Sequence, residues 1–402
     1  MPRFAPFRGL RYAESLDLEA VTSPPYDVID EAERIELTRR SPHNAVRLDL
    51  PRDGEGQEPY RGAARLLSAW REQGLLVPDD APALYLYRMG YRGPAGRPRQ
   101  ISGVVGALEV AEPGDGQVLP HERTTPKPRG DRLELLRATR HNLSPIWCLS
   151  LATGLAGLCE PAGPPLGRCT DPQGVHHRLW RVASAALIEA IGDVVASAPA
   201  LIADGHHRFE SARVYRDERR AVGAGWCPAS ELVMAMVVEL ADARLSVRPI
   251  HRLLLDLPPD LDVVAALAPF FEPVGPVDPA GPSLEARMDD AGALGVVVPG
   301  GRAWLLRPRA GAFPDDLADL DASRLEAALP ALPPHGVSYE HDTGRVLDHV
   351  AGGRCSAGLL LRPATVSQIA ATASHGDRLP PKTTYFAPKP RTGMVFRSLD
   401  LG

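Results

Sequence analysis

The sequence predicts an α/β fold of mixed α+β detail, and three observations carry that prediction. Apolar segments of strand length alternate with amphipathic segments of helical period over the whole 402 residues. The 37 glycines and 41 prolines fall between these segments as turn punctuation and form no low-complexity tract. No stretch reaches the roughly 18 uninterrupted apolar residues of a membrane span, and no internal repeat recurs.

Taken in order, the turn-rich stretch Ser23–Ile29 leads to a helix near Asp30, where Asp acts as N-cap and acidic residues fill the first turn. Ala64, Leu67 and Trp70 mark a second helix over Tyr60–Gln73, stopped by Gly74. Branched and aromatic residues predict strands at Ala83–Arg88 and Ile101–Val110, joined as a hairpin. A polar loop, Leu119–Arg129, precedes a helix over Asp131–Arg140 and a strand over Pro145–Leu151. Residues 153–174 read as a surface loop, followed by a strand over His177–Val182 and a helix over Ser184–Ile191. After the segment around Asp204 come strands over 231–240 and Ile250–Leu255. Strands over Val337–Glu340 and Ala357–Leu361 and a helix over Ser367–Ala373 precede a Pro/Lys/Thr-rich segment.

The expected division has three parts. Residues 1–256 form the N-terminal region and catalytic core, residues 257–334 an inserted α/β lobe between Pro/Gly seams, and residues 335–402 a segment returning to the core. A net charge of -5 supplies no basic field for nucleic acid, so no nucleic-acid partner and no membrane partner are expected. The five cysteines are odd in number and scattered without a C-x-x-C pair. This argues against a disulfide framework and points to a reducing cytoplasm.

Chemistry concentrates at Asp204-Gly205-His206-His207-Arg208. The apolar run Ala200–Ala203 reads as a strand, Asp204-Gly205 as a turn in which glycine takes positive φ, and Phe209, Ala212 and Tyr215 as the buried stripe of the next helix. A helix opening there presents its N-terminal amides and positive dipole end as an anion site. Arg208 offers two donors to phosphate, His206 or His207 a donor or proton shuttle, and Asp204 an oxygen ligand for Mg2+. Read alone, the same residues also fit a capped helix start with surface histidines. Tight transition-metal binding fits less well, because adjacent histidines lack the i,i+4 spacing of a helical ligand pair.

Two further segments carry functional groups. In Pro120-His121-Glu122-Arg123-Thr124-Thr125-Pro126-Lys127-Pro128-Arg129, Glu122 is a candidate base for a substrate hydroxyl, with Arg123, Lys127 and Arg129 neutralising phosphate. In Pro380-Pro381-Lys382-Thr383-Thr384-Tyr385-Phe386-Ala387-Pro388-Lys389, Lys382 is a point charge and the threonine hydroxyls are phosphate or substrate ligands. Tyr26 and Asp27, on the Pro-Pro turn, are weaker candidates. Walker A, G-x-G-x-x-G and G-x-S-x-G signatures are absent from the sequence.

Together and in this order, the Pro-His-Glu, Asp-Gly-His-His-Arg and Pro-Lys-Thr-Thr motifs resemble those of archaeal free-serine kinases of the ParB/sulfiredoxin-like superfamily. The whole chain also resembles a broad prokaryotic family, labelled a domain of unknown function, that shares Pro-Phe-Arg-Gly-Leu-Arg-Tyr and Pro-Lys-Thr-Thr-Tyr-Phe. The resemblance implies a ParB/sulfiredoxin-like catalytic core with large insertions and a smaller additional lobe. It implies phosphoryl transfer from ATP or ADP, with Mg2+, to the hydroxyl of a small metabolite, L-serine first. On this reading Glu122, Asp204 and His207 are catalytic. Gly205, His206, His207, Arg208, Arg123, Lys127 and Lys382 hold nucleotide phosphates, and His121, Thr383 and Thr384 meet the acceptor. The rivals are a nucleotide hydrolase or switch of the ParB type and a non-catalytic sensor of a phosphorylated ligand.

Overall fold

In the computed structural model the described residues are 2–52, 58–93, 96–112, 114–120, 126–221, 228–240, 246–279, 284–374, 379–380 and 382–400. The chain is a mixed α/β protein built as two compact units: Met1–Pro120, Thr124–Leu245 and Pro388–Gly402 form the first, and Ser246–Ala387 the second. The second unit is wider than the lobe expected at 257–334, because strands on both sides of that range join its sheet.

The first unit is organised around a nine-stranded sheet. Its order is Val118–Pro120, Ala200–Asp204, Ile146–Ser150, Leu232–Glu239, Pro98–Glu109, Leu84–Arg92, His176–Val182, Gly167–Thr170, with Phe4–Ala5 pairing beside Pro98–Glu109. Two neighbour pairs are parallel: Val118–Pro120 with Ala200–Asp204, and Ile146–Ser150 with Leu232–Glu239. The expected hairpin is present but longer than its apolar centre, with Leu84–Arg92 paired antiparallel to Pro98–Glu109. Both faces of its central strands are covered. Leu84, Leu86, Val104, Ile146, Ile202 and Val237 join one core cluster, while their neighbours Tyr85, Tyr87, Val105, Trp147, Leu201 and Met236 are equally buried. Burial on both sides explains why these strands read as unbroken apolar runs. A four-stranded sheet packs a second cluster around Trp70 and Phe396, in the order Leu76–Pro78, Gly9–Tyr12, Phe396–Ser398, His141–Asn142.

Two sequence expectations need correction here. The helix placed at Asp131 begins at Pro126, so Lys127 belongs to a helix and not to a loop; proline is well suited to the first helical turn, where its missing N–H has no intrahelical role. The loop expected over 153–174 contains the helix Leu155–Leu158 and the edge strand Gly167–Thr170. Asp30 caps Glu31–Arg40 as expected, its carboxylate accepting from Glu33 N–H at 2.8 Å.

The second unit is an antiparallel six-stranded sheet in the order Phe271–Val277, Arg302–Pro308, Leu294–Val298, Ala357–Leu360, His251–Leu255, Gly336–Glu340. Consecutive residues alternate between two clusters. Val296, Leu306 and Leu359 fall in one; Val297, Leu305 and Leu360 fall in the other. That period of two is what a sheet with both faces packed requires. Ser246–Pro249 and Thr384–Ala387 form a separate two-stranded ribbon. Among the described residues, no helix is long and apolar enough to cross a membrane.

Candidate functional site

The strand Ala200–Asp204 is buried through Ala203 and surfaces at Asp204. Gly205 then takes φ +91°, and a Cβ there would lie 3.0 Å from both Arg208 Nε and Ile146 Cγ2, so conformation and space both favour glycine. Phe209 N–H donates to the Gly205 carbonyl at 3.0 Å as the helix His206–Ala221 opens, which leaves the amides of His206, His207 and Arg208 outside the helical ladder. His206 and His207 are half-buried in this first turn. Phe209, Ala212 and Tyr215 form the buried stripe read from the sequence.

Arg208 occupies a different role from the one expected. Its guanidinium donates to Ser144 Oγ at 2.9 Å, to the Pro145 carbonyl at 2.5 Å and to Asp204 Oδ2 at 2.6 Å. A fork committed in this way is turned into the protein. Arg208 braces the turn, and the reading of it as a two-donor phosphate ligand is revised. Burial opposes its charge, but the carboxylates of Asp204, Asp27 and Asp49 outweigh burial and raise its pKa.

The second oxygen of Asp204 receives Lys389. Lys389 Nζ donates to Asp204 Oδ1 at 2.6 Å and also to Asp27 Oδ2, so one ammonium joins segments that lie far apart in sequence. Burial works against this ammonium, yet the two carboxylates hold its pKa well above the ordinary lysine value. Behind it, the Tyr26 ring carries the Arg132 guanidinium at 4.2 Å and the Arg208 guanidinium at 5.8 Å. Burial pushes the Tyr26 phenol up to about 12, so it stays protonated at neutral pH. Arg132 is held by the Asp49 carbonyl at 2.8 Å and the Asp49 carboxylate at 3.0 Å. Burial raises the pKa of Asp49 against the pull of Arg132. The cluster thus sets Asp27, Asp49 and Asp204 against Arg132, Arg208 and Lys389. A cavity of about 40 Å3 behind it, lined in part by Asp49, Arg132, His141 and Arg208, has room for water but for no nucleotide.

This arrangement does not suit Mg2+ on Asp204. Both carboxylate oxygens already hold cationic side chains, and among the described residues no group of three or more His, Cys, Asp or Glu is placed to bind a metal. No step is therefore assigned to a metal on that residue.

The other expected site residues fall as follows. Pro120 pairs with Ile202, which sets the end of one motif strand beside the strand that ends at Asp204. His121, Glu122 and Arg123 lie outside the described residues, as does the side chain of Lys127. In the second unit, Lys382 is exposed with φ +60°, and its carbonyl accepts from Arg252 at 2.9 Å. Thr383 is buried and donates to the Pro380 carbonyl at 2.7 Å, and Thr384 is buried at the start of the ribbon. Sequence reasoning included Lys389 at the end of the third segment without a role, passed over Asp49 and Arg132, and gave Asp27 little weight. The usable signal was Pro388-Lys389-Pro390, since flanking prolines restrict the backbone and hold a lysine in a fixed extended strip.

Residues 4–323 match the family model described as "Protein of unknown function (DUF1015)". The chain belongs to the DUF1015 family. The matched span of this DUF1015 protein includes Pro120 and Asp204–Arg208 and stops before Lys382–Thr384 and Lys389. No curated protein matches the sequence. Among solved structures, the fold is similar to "Free serine kinase in complex with AMP", at 13% identity over 75% of this chain and 93% of that one, with a TM-score of 0.41. It is also similar to a conserved hypothetical protein from Pyrococcus furiosus (14% identity, 75% and 97% covered, TM-score 0.39). SbnI with C-terminal truncation from Staphylococcus aureus is a third (11% identity, 74% and 88% covered, TM-score 0.37). At these identities the likeness is one of fold.

Proposed function

We propose that this protein is a small-molecule kinase with a ParB/sulfiredoxin-like core, moving a phosphoryl group from ATP or ADP to the hydroxyl of free L-serine or a similar metabolite. One observation carries the reading: a strand ends in Asp204-Gly205, and the next helix opens with two half-buried histidines and amides outside its ladder. Such a helix start favours negative charge. The three motifs in their order, with Pro120 beside Ile202, support a site assembled around it.

In the proposed reaction Glu122 takes the proton of the acceptor hydroxyl, whose oxygen attacks the terminal phosphorus. The bond from that phosphorus to the bridging oxygen breaks, and ADP leaves from ATP, or AMP from ADP. His206, His207 and the helix start stabilise the charge spread over the transferring oxygens. Arg123, Lys127 and Lys382 neutralise the nucleotide phosphates, while His121, Thr383 and Thr384 orient the acceptor. Mg2+ travels with the nucleotide and supplies charge neutralisation when bound. Asp204 anchors Arg208 and Lys389.

The test is incubation of purified protein with Mg2+, ATP or ADP, and a panel of hydroxylated amino acids, read by mass spectrometry. O-phosphoserine is the expected product, and Glu122→Gln lowers its rate by about a hundredfold or more. Nucleotide hydrolysis at one rate with and without serine favours the hydrolase or switch. If nucleotide binds while serine, homoserine and threonine all stay unmodified, the kinase reading falls.

A further inference from the structure

We propose that Lys389 is the exchangeable cation of this site: a phosphate-bearing ligand takes it over from Asp27 while Asp204 keeps it aimed. The inference rests on the reading of the site as a phosphate site and adds the residue that engages the ligand. Three cations surround Tyr26 and Asp204, and they differ in how they are held. Arg208 is fixed by Ser144, the Pro145 carbonyl and Asp204. Arg132 is fixed by the Asp49 carbonyl, the Asp49 carboxylate and Asp131. Both bond a backbone carbonyl, so neither can turn to a ligand without orphaning a buried main-chain group.

Lys389 contrasts with both, because it bridges two carboxylates that belong to different kinds of structure. Asp204 closes a buried sheet strand and is anchored from its other oxygen by Arg208. Asp27 lies on the three-residue turn Tyr26–Val28 and reaches the surface, with 23% of its side chain exposed. Asp27 is the partner that opens to solvent, and its carboxylate holds the place an anionic ligand would take. A lysine suits exchange of this kind, being a compact charge on a flexible stem, whereas an arginine fork favours one fixed geometry. Pro388 and Pro390 keep the lysine backbone in place while its end changes partner.

Isothermal titration calorimetry of the full chain with ATP, and separately with inorganic tripolyphosphate, tests the exchange. Asp27→Asn removes the competitor and tightens both ligands several-fold, whereas Lys389→Met weakens both by about tenfold or more. The double variant Asp27→Asn with Lys389→Met recovers the thermal midpoint lost in Lys389→Met, because the Asp27 charge no longer faces Asp204 without an ammonium between them, but its binding stays weak. Two results overturn the proposal: Asp27→Asn with a normal thermal midpoint and unchanged or weaker binding, or Lys389→Met with wild-type affinity. The kinase reading fails separately, when ATP binds with the expected response to both substitutions and no hydroxyl acceptor is phosphorylated. Serine kinase activity that Lys389→Met leaves intact sinks the exchange alone.

Discussion

At Gly205 the backbone and the neighbouring side chains impose the same requirement. Alanine there meets φ +91° and contacts of 3.0 Å to Arg208 and Ile146, and unfolding in urea should show a loss of about 1–3 kcal/mol. Arg208→Met removes three bonds and leaves Asp204 Oδ2 without its guanidinium, with Lys389 still on Oδ1, which predicts a loss of about 3 kcal/mol with a lowered thermal midpoint. An unshifted midpoint with only ligand binding impaired would restore Arg208 as a phosphate ligand. The turn itself was legible in the sequence, because Asp-Gly between an apolar strand and a helical stripe admits few conformations. The inward aim of Arg208 was not. It depends on Ser144 and Pro145, which are distant in sequence and carry no motif.

Among the elements, the strand His251–Leu255 carries a titrating group in the core of its sheet. His251 Nδ1 accepts from Leu361 N–H at 3.1 Å, so the proton sits on Nε2 and is donated to Thr343 Oγ1 at 3.2 Å. Burial lowers the pKa of His251 from 6.5 to about 4, against the opposing pull of Glu285, Glu340 and Asp342. A depressed folded pKa means that the unfolded chain takes up the proton first. The contribution is therefore complete above pH 6.5 and falls away as pH drops toward about 4, by on the order of 3 kcal/mol. Urea unfolding between pH 7 and 4 should show this slope for wild type and a flatter one for His251→Gln. The strand was legible from its apolar run, and the helices Glu31–Arg40 and His206–Ala221 from caps and stripes. The helix start at Pro126 was obscured because Lys127, Pro128 and Arg129 are as common in loops as in a first turn.

For the whole molecule, the mixed α/β class followed from alternating segments, whereas the division into units did not. Unit membership is settled by pairing between distant strands, as when Ala357–Leu360 inserts between His251–Leu255 and Leu294–Val298, and local pattern cannot report it. Ser246–Ala387 is one continuous stretch with its own sheet, packed on both faces. Expressed alone, this segment should fold cooperatively, with a single thermal transition and dispersed amide resonances; a broad, uncooperative melt would show that it needs the rest of the chain.

The first unit is instead gathered from separated stretches, and this gives biosynthesis an order. Phe396–Ser398 sits between Gly9–Tyr12 and His141–Asn142, and Lys389 meets Asp27 and Asp204. Gly9–Tyr12 therefore waits for a partner strand that follows the whole of the second unit in the chain. The second unit can condense before the first is complete. A nascent chain halted before residue 389 would carry a folded second unit while Asp27 and Asp204 still lacked their shared counter-charge. Translation past that residue is what makes the site possible.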